Sequence, residues 1–405
     1  MNDLPIDPGT FEIWHQWRKV SHGAGCASGL AGALRAQGCR RPFLVTTPSL
    51  VRQGRLLETV RAAMGVAPVE VFSASVPHTP RSVVLEASAR ARAAGADCVV
   101  SFGGGTVIDT AKGIALALGA EITSEAGLDA FLVARQAGAP GKTLLKRDLI
   151  AHFALPTTLS GAEYSADIGI TNTARQAKEI FNCEGAAPAA IFLDPELTGA
   201  TPPRLWAATG LKTMSDAIEQ TYANPSHPVI AALAERSIRW FSTYLPLCEA
   251  DDEAVRADAR LRCQLASWMS LFGIFNASSH VGLGGAMRHQ LGGMFGIPHG
   301  EITCVLLPHI IRFNAQAVPD GFAILARSLD LPVVEDRTER VESIANAITA
   351  LVERLDLPTR LGPLGVSGEG LDLLAANVMG EKSMRYNPRT VKDPREIVEL
   401  VWQAI

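Results

Sequence analysis

The sequence predicts two domains of different class: an α/β domain on a parallel sheet over residues 1–197, and an all-helical domain over residues 198–405. Three observations carry this. Short apolar runs alternate with helix-compatible segments through the first half, the pattern of a parallel sheet covered on both faces. Within it, Ser101–Lys112 (SFGGGTVIDTAK) joins an apolar run to a helix start through three glycines. From Pro202 onward the segments become long and helical, with few β-branched runs. A chain of 405 residues is too long for one ordinary core, and 47% apolar residues suffice for two.

Taken in order, the opening segment holds Trp14 and Trp17 and no recognisable chemistry. Arg18–Ser21 reads as a first strand, running into His22–Gly25 (HGAG) and a small-residue helix, Ala27–Gln37. Pro42–Thr46 (PFLVT) is a buried strand, apolar and β-branched at its end. A helix over Leu50–Met64, a strand over Val69–Phe72 and a helix over Ser82–Ala94 follow. Asp97–Phe102 and its glycine turn lead into a helix over Thr106–Leu118. Gly119–Lys146 is a more polar excursion, with Gly138–Gly141 (GAPG) suiting a loop with a short helix. Asp148–Leu155 resumes the sheet, and Ala190–Asp194 (AIFLD) is its last strand, before Pro195.

The domain boundary falls near 195–201. After it, Pro202–Pro203 and RLWAATGLKTMSDAIEQTYA fit a helix with proline in its first turn, although Gly210 weakens the middle. Further helices are expected over Val229–Leu245, Glu253–Phe275, Gly284–Met294, Glu301–Asn314, Asp336–Leu355 and Leu371–Met379.

Composition excludes several classes. A net charge of −4 argues against general nucleic-acid binding. No apolar run reaches the roughly 18 residues that span a bilayer. MNDLPIDPGT has no positive region followed by an apolar stretch, so a cytoplasmic location without a signal peptide is expected. The seven cysteines are scattered and lack C-x-x-C spacing, which reads as free thiols in a reducing compartment. Cys26, Cys98 and Cys304 lie in apolar or glycine-rich surroundings and receive no role.

The glycine turn carries chemistry. An apolar strand, a glycine turn and a helix start make a phosphate cradle, because glycine lets a phosphate approach the backbone and the helix N-terminus holds it. The string Gly103–Lys112, GGGTVIDTAK, closely resembles the GGGS-x-x-D-x-AK signature of iron-containing alcohol dehydrogenases, a family that includes maleylacetate reductases. Only the serine differs, and Thr106 keeps its hydroxyl. The resemblance implies a Rossmann-like dinucleotide-binding domain in a dehydroquinate-synthase-like architecture. It implies NAD(P)H, with Gly103, Gly104 and Gly105 on the pyrophosphate and Thr106, Asp109 and Lys112 along the cofactor cleft. Read alone, Asp109 and Lys112 could equally be a solvated helix face. Pro156–Glu163 (PTTLSGAE) resembles the family's PTT-x-x-G-S-E segment and places Thr157 and Thr158 against the cofactor. The family often has an aspartate after its second strand that favours NAD; Thr47 stands there, so NADP(H) is expected to be accepted. The resemblance also implies a homodimer and an active site between the two domains.

Metal-binding members of the family use one aspartate and three histidines. The first two lie four apart in ATG-M-D-A-L-T-H-A-I-E, a spacing that stacks them on one helical face. Here ATGLKTMSDAIE puts Lys212 in the aspartate position and Asp216 in the histidine position. The third ligand position, four residues before His289, is Gly285. Maleylacetate reductases typically carry two adjacent histidines where this chain has Gly284 and Gly285. The fourth ligand, in PHG, is matched by His299. A cation beside a divalent ion is repelled, so no bound metal is expected. His280 and His309 read as structural.

Lys212 and Asp216 are either a plain i, i+4 ion pair or a replacement for the missing ion, with Lys212 polarising a carbonyl or holding a carboxylate. The expected function is metal-independent, NAD(P)H-dependent hydride transfer to a small polarised C=O, C=C or C=N group. Lys212 is the stabilising cation, Asp216 its partner, and His289 and His299 are proton donors. Arg288 is a candidate for a substrate carboxylate, or else a surface arginine. The alternatives are a metal-dependent alcohol dehydrogenase with unusual ligands, separated by elemental analysis, and a nucleotide-binding scaffold without turnover.

Overall fold

The computed structural model describes residues 19–132, 149–175, 177–222, 227–276, 280–318 and 321–405. Trp14, Trp17, Arg18 and the GAPG segment lie outside them. The chain divides into two compact units, one ending at Thr201 and one running from Pro202 to Ile405.

The first unit is built on six parallel strands: β1 (Lys19–His22), β2 (Pro42–Val45), β3 (Glu70–Phe72), β4 (Cys98–Gly103), β5 (Ala151–Pro156) and, after a hairpin, β8 (Ala190–Leu193). Their order across the sheet is β1-β8-β5-β4-β2-β3. Helices α1 (Leu30–Ala36), α2 (Pro48–Arg52), α3 (Arg55–Met64), α4 (Arg81–Ala93), α5 (Gly105–Gly119) and the single turn α6 (Glu125–Leu128) connect them. Strand periodicity sorts β4 between two apolar layers: Val100 and Phe102 pack with Leu44, Phe153 and Phe192, and Val99 packs with Phe43, Val45 and Phe72. Both faces are covered, which is why these strands read as continuous apolar runs.

Two features depart from the expected elements. The helix over Leu50–Met64 is two helices, broken at Gly54, whose φ of 26° no helix accommodates. Strands β6 (Asp167–Asn172) and β7 (Ala177–Asn182) form a separate antiparallel hairpin. Its Ile168, Ile170 and Phe181 are buried with Ile122, Leu128 and Phe131.

The second unit is helical: α7 (Pro203–Tyr222), α8 (Pro228–Tyr244), α9 (Glu253–Asn276), α10 (Leu283–Phe295), α11 (His299–Asn314), α12 (Gly321–Ser328), α13 (Arg337–Arg354), α14 (Leu371–Met379) and α15 (Pro394–Ala404). Helices α12 and α15 are additions to the elements expected from the sequence. The latter carries a clear start signal, Asp393 and Glu396 in a capping box with Pro394 at its first position. Leu283, Met287 and Leu291 of α10 pack with Ile302, Leu306 and Ile310 of α11 and with α14 and α15, so one core holds α10 and α11, which carry Arg288, His289 and His299. Among the described residues, no helix is long and apolar enough to cross a membrane.

Candidate active site

Parallel pairing of β4 with β5 sets Gly103 opposite Pro156, so the glycine turn and the Thr157–Ser160 turn leave the same edge of the sheet. Thr157 N donates to Gly103 O at 3.0 Å and ties them together. Each glycine is required by what lies beside it. A Cβ at Gly103 would stand 2.6 Å from Val107 Cγ2, one at Gly104 2.8 Å from Thr158 Cγ2, and one at Gly105 2.9 Å from Ser160 Oγ. Gly104 is the N-cap of α5, so the amides of that first turn are presented beside the glycines. The hydroxyls of Thr158 and Ser160 are buried without a hydrogen-bond partner among the described residues. Buried orphan hydroxyls beside a helix N-terminus fit a phosphate that would accept from them. Ser160, inside PTTLSGAE, joins the residues expected there from the sequence.

Thr106 and Asp109 of α5 are half-buried. Burial raises the Asp109 carboxyl above its ordinary range, opposed by Lys112 and Lys178 and by the amide of Gly169. Lys112 corrects the solvated-face alternative. It is fully buried, and its Nζ donates to Ala162 O at 2.5 Å and Asp167 O at 2.8 Å. It ties α5 to the segment that follows the Thr157–Ser160 turn. Burial lowers its pKa, while Asp109, Asp167 and Glu163 act the other way. Thr47 caps α2, accepting from Leu50 N at 3.3 Å and sharing a 2.8 Å hydrogen bond with Ser49 Oγ.

In the helical unit, α7 brings Lys212 and Asp216 one turn apart, and Lys212 Nζ lies 2.7 Å from Asp216 Oδ2. The pair is not a solvated face, because the Asp216 side chain is 3% exposed and that of Lys212 23%. The other carboxylate oxygen, Oδ1, accepts from Arg288 Nη2 of α10 at 2.6 Å. Arg288 also donates to Ser215 Oγ at 3.0 Å, and its Nη1 lies 4.0 Å from Glu219 Oε1. Arg288 therefore corrects both of its expected readings. It is a buried arginine whose fork is taken by the protein, neither a surface residue nor a free carboxylate receptor. Burial alone would raise the Asp216 carboxyl, but Arg288 and Lys212 outweigh it and hold it below its usual value.

Glu219 completes the cluster. Its Oε2 accepts from Gly282 N at 2.8 Å and Gly284 N at 3.2 Å at the start of α10, while Oε1 is buried without a hydrogen bond among the described residues. Burial raises its pKa, against Arg288 and the two amides. A Cβ at Gly284 would overlap Glu219 Oε1, and one at Gly285 would stand 2.6 Å from Val281 Cγ2. Lys212 and Arg288 thus flank Asp216, and Arg288 reaches on to Glu219. Lys212 is the partly exposed member.

His289 lies one position beyond Arg288, on the exposed side of α10. Its ring and that of His299 are 5.8 Å apart at their centroids. His289 Nδ1 is 3.7 Å from Glu381 Oε1, and Gln290 Nε2 donates to the same oxygen at 2.6 Å. His289 and then burial and Gln290 set the Glu381 carboxyl, with a net shift below its usual value. No sequence signal marked Glu381, which stands 92 positions from His289 in a loop. His280 stacks on Tyr386 at 3.7 Å. His309 is held below its ordinary pKa by burial and by Arg312 and Arg360.

Residues 18–195 match the family description "Iron-containing alcohol dehydrogenase", and residues 206–405 match "Fe-containing alcohol dehydrogenase family, C-terminal". A maleylacetate reductase of Burkholderia cepacia is 30% identical over 381 residues, covering 92% of each chain. The chain belongs to the iron-containing alcohol dehydrogenase family. It is an oxidoreductase of that family. Its fold is likewise that of the family: a 1,3-propanediol oxidoreductase superposes with a TM-score of 0.85 at 27% identity, covering 98% of this chain and 99% of the other. A maleylacetate reductase from Agrobacterium tumefaciens gives 0.77 at 26% identity, with 98% of each chain covered.

Proposed function

We propose that this chain is a metal-independent, NAD(P)H-dependent reductase acting on a small polarised C=O, C=C or C=N group, of the kind maleylacetate reductases reduce. The observation that carries the reading is Asp216, with one oxygen 2.7 Å from Lys212 Nζ and the other 2.6 Å from Arg288 Nη2. The donor set does not fit the family's divalent ion. Two cations already engage the Asp216 carboxylate, the position of the first ligand is itself a cation, and Gly285 offers no donor. Of the remaining ligand positions, only His299 carries a suitable atom.

The residues around the glycine turn do fit a dinucleotide. Gly103, Gly104 and Gly105 with the first turn of α5 would hold its phosphates, with Thr106, Thr157, Thr158 and Ser160 supplying hydroxyls. When bound, NAD(P)H supplies the hydride. Reduction places negative charge on the acceptor's heteroatom, and a preorganised cation stabilises it. Lys212 Nζ is that cation. Its pairing with Asp216 holds the ammonium in place, and Arg288 secures Asp216 from the other side. His289 donates the proton from Nε2, with Nδ1 turned to Glu381; His299 is its neighbour in that role. Activity that persists after chelation and falls on removing the Lys212 ammonium tests the proposal. A stoichiometric metal whose removal stops turnover overturns it.

A further inference from the structure

Cys39 follows α1 through the turn at Gly38, whose φ of 70° suits glycine. Asp97 and Cys98 lead into β4. The parallel pairing of β2 with β4, Pro42 opposite Cys98, brings these two stretches together at the sheet edge away from the glycine turn. One ligand atom from each of Cys39, Asp97 and Cys98 lies within 4.8 Å of the others. That separation suits a single ion, since two sulfurs on tetrahedral bonds of about 2.3 Å stand roughly 3.8 Å apart.

The carboxylate is aimed rather than free to swing. Asp97 Oδ2 accepts from Arg40 N at 2.8 Å and Oδ1 from Arg41 N at 2.9 Å. Held ligands of this kind are what a metal site requires around it. The Cys98 thiol is hydrogen-bonded with Cys39 and with Asp97. Asp97 is half-buried, whereas Cys39 and Cys98 are buried.

We propose that Cys39, Asp97 and Cys98 form a binding site for a thiophilic divalent cation, Zn2+ above all, separate from the reductase chemistry. Two thiolates and one carboxylate favour a soft d10 ion over magnesium or calcium. Binding releases the thiol protons to solvent and joins the turn after α1 to β4, so the ion stabilises the first unit by mass action. The site lies in the first unit, shares no residue with the Lys212 cluster and does not depend on the reading of that cluster. It bears on it in practice, because zinc in the purified protein need not be catalytic metal.

Cd2+ is the probe, since cadmium thiolates absorb in the ultraviolet in proportion to the sulfurs bound. Titration of the reduced full chain is expected to saturate at one Cd2+ per chain. Cys39→Ser, at the less deeply buried of the two thiols, removes the saturable absorption, and Asp97→Asn raises the dissociation constant at least tenfold. Cys248→Ser leaves the absorption intact. This control disrupts the other close thiol pair, Cys248 and Cys263, whose sulfurs lie 3.7 Å apart. Far-ultraviolet circular dichroism checks that each variant is folded. No saturable absorption in the parent, absorption that survives Cys39→Ser, or undiminished affinity in Asp97→Asn each overturns the proposal.

Discussion

Replacing Lys212 by Met removes an ammonium and keeps length and helix propensity. The structure sets what else should change. Asp216 is not stranded, because Arg288 Nη2 still donates to its Oδ1 at 2.6 Å. Removing the sole partner of a buried charge costs about 3–5 kcal/mol. Here a second cation remains and Lys212 is itself 23% exposed, so a stability loss of about 1 kcal/mol is expected. Arg288 cannot take over the chemistry, since its fork is held by Asp216 and Ser215. The kinetic loss should therefore far exceed the structural one. A donor aimed at developing negative charge contributes roughly two to three orders of magnitude, about 2.7–4 kcal/mol. The assay follows oxidation of reduced nicotinamide against a panel of small aldehydes, keto acids and enoyl acids, with denaturant unfolding in parallel. A fall in kcat places Lys212 on the reacting group, whereas a rise in KM alone places it on a substrate carboxylate. Parental kcat and KM in a folded Lys212→Met protein would refute the reasoning.

Dialysis against a chelator should leave turnover unchanged, as measured by rate and elemental content together. NADPH should be accepted, because Thr47 caps α2 where a carboxylate would repel the 2′-phosphate; a preference for NADH beyond about a hundredfold, roughly 2.7 kcal/mol, contradicts this. Gly104→Val should lose cofactor binding in calorimetry and also lower Tm, since its Cβ would press on Thr158 at 2.8 Å before any ligand arrives. Arg288→Met should cost about 3–5 kcal/mol, read in denaturant, because it leaves Asp216 buried with Lys212 alone and takes from buried Glu219 the cation it faces. The sign of its pH dependence follows from Asp216. A depressed folded pKa contributes stability above the unfolded value, lost as pH falls through the folded one. Without Arg288 the folded pKa rises, so acid unfolding should begin at higher pH than in the parent.

What could be read from the sequence was local or periodic. The core strands of the sheet announce themselves because burial on both faces makes them continuous apolar runs. The glycine turn is legible because three backbone positions must each exclude a Cβ, and only glycine does that. The β6–β7 hairpin was passed over, although DIGITN alternates with period two, because its partner strand AKEIFN is half charged and polar. Lys112 shows the opposite failure. Three residues after Asp109 on a helix, it fits a solvated face, and only the fold reveals that Ala162 O and Asp167 O, 50 or more positions away, receive its ammonium.

The Lys212 cluster sharpens the same point. Spacing places Lys212 and Asp216 on one turn of α7, and an isolated exposed pair of that kind contributes only about 0.3–0.5 kcal/mol. Nothing local shows that the pair is buried or that a second cation completes it. Arg288 reaches Asp216 across 72 positions of chain, and Glu219 reaches the amides of Gly282 and Gly284 across more than 60. With its carboxylate against the start of α10, Glu219 occupies the space that a side chain at position 284 would need. Restoring a metal site would accordingly take more than returning one ligand. Lys212→Asp alone would set a third carboxylate beside Asp216 and Glu219 with Arg288 as the remaining cation of the cluster, and a histidine at 284 would collide with Glu219. The expected result for Lys212→Asp is a less stable protein with no gain of iron or zinc at that position, measured by unfolding and elemental analysis in a Cys39→Ser background. Stoichiometric metal bound there with restored turnover would show that the ion-pair cluster is a lightly altered metal site rather than a replacement for one.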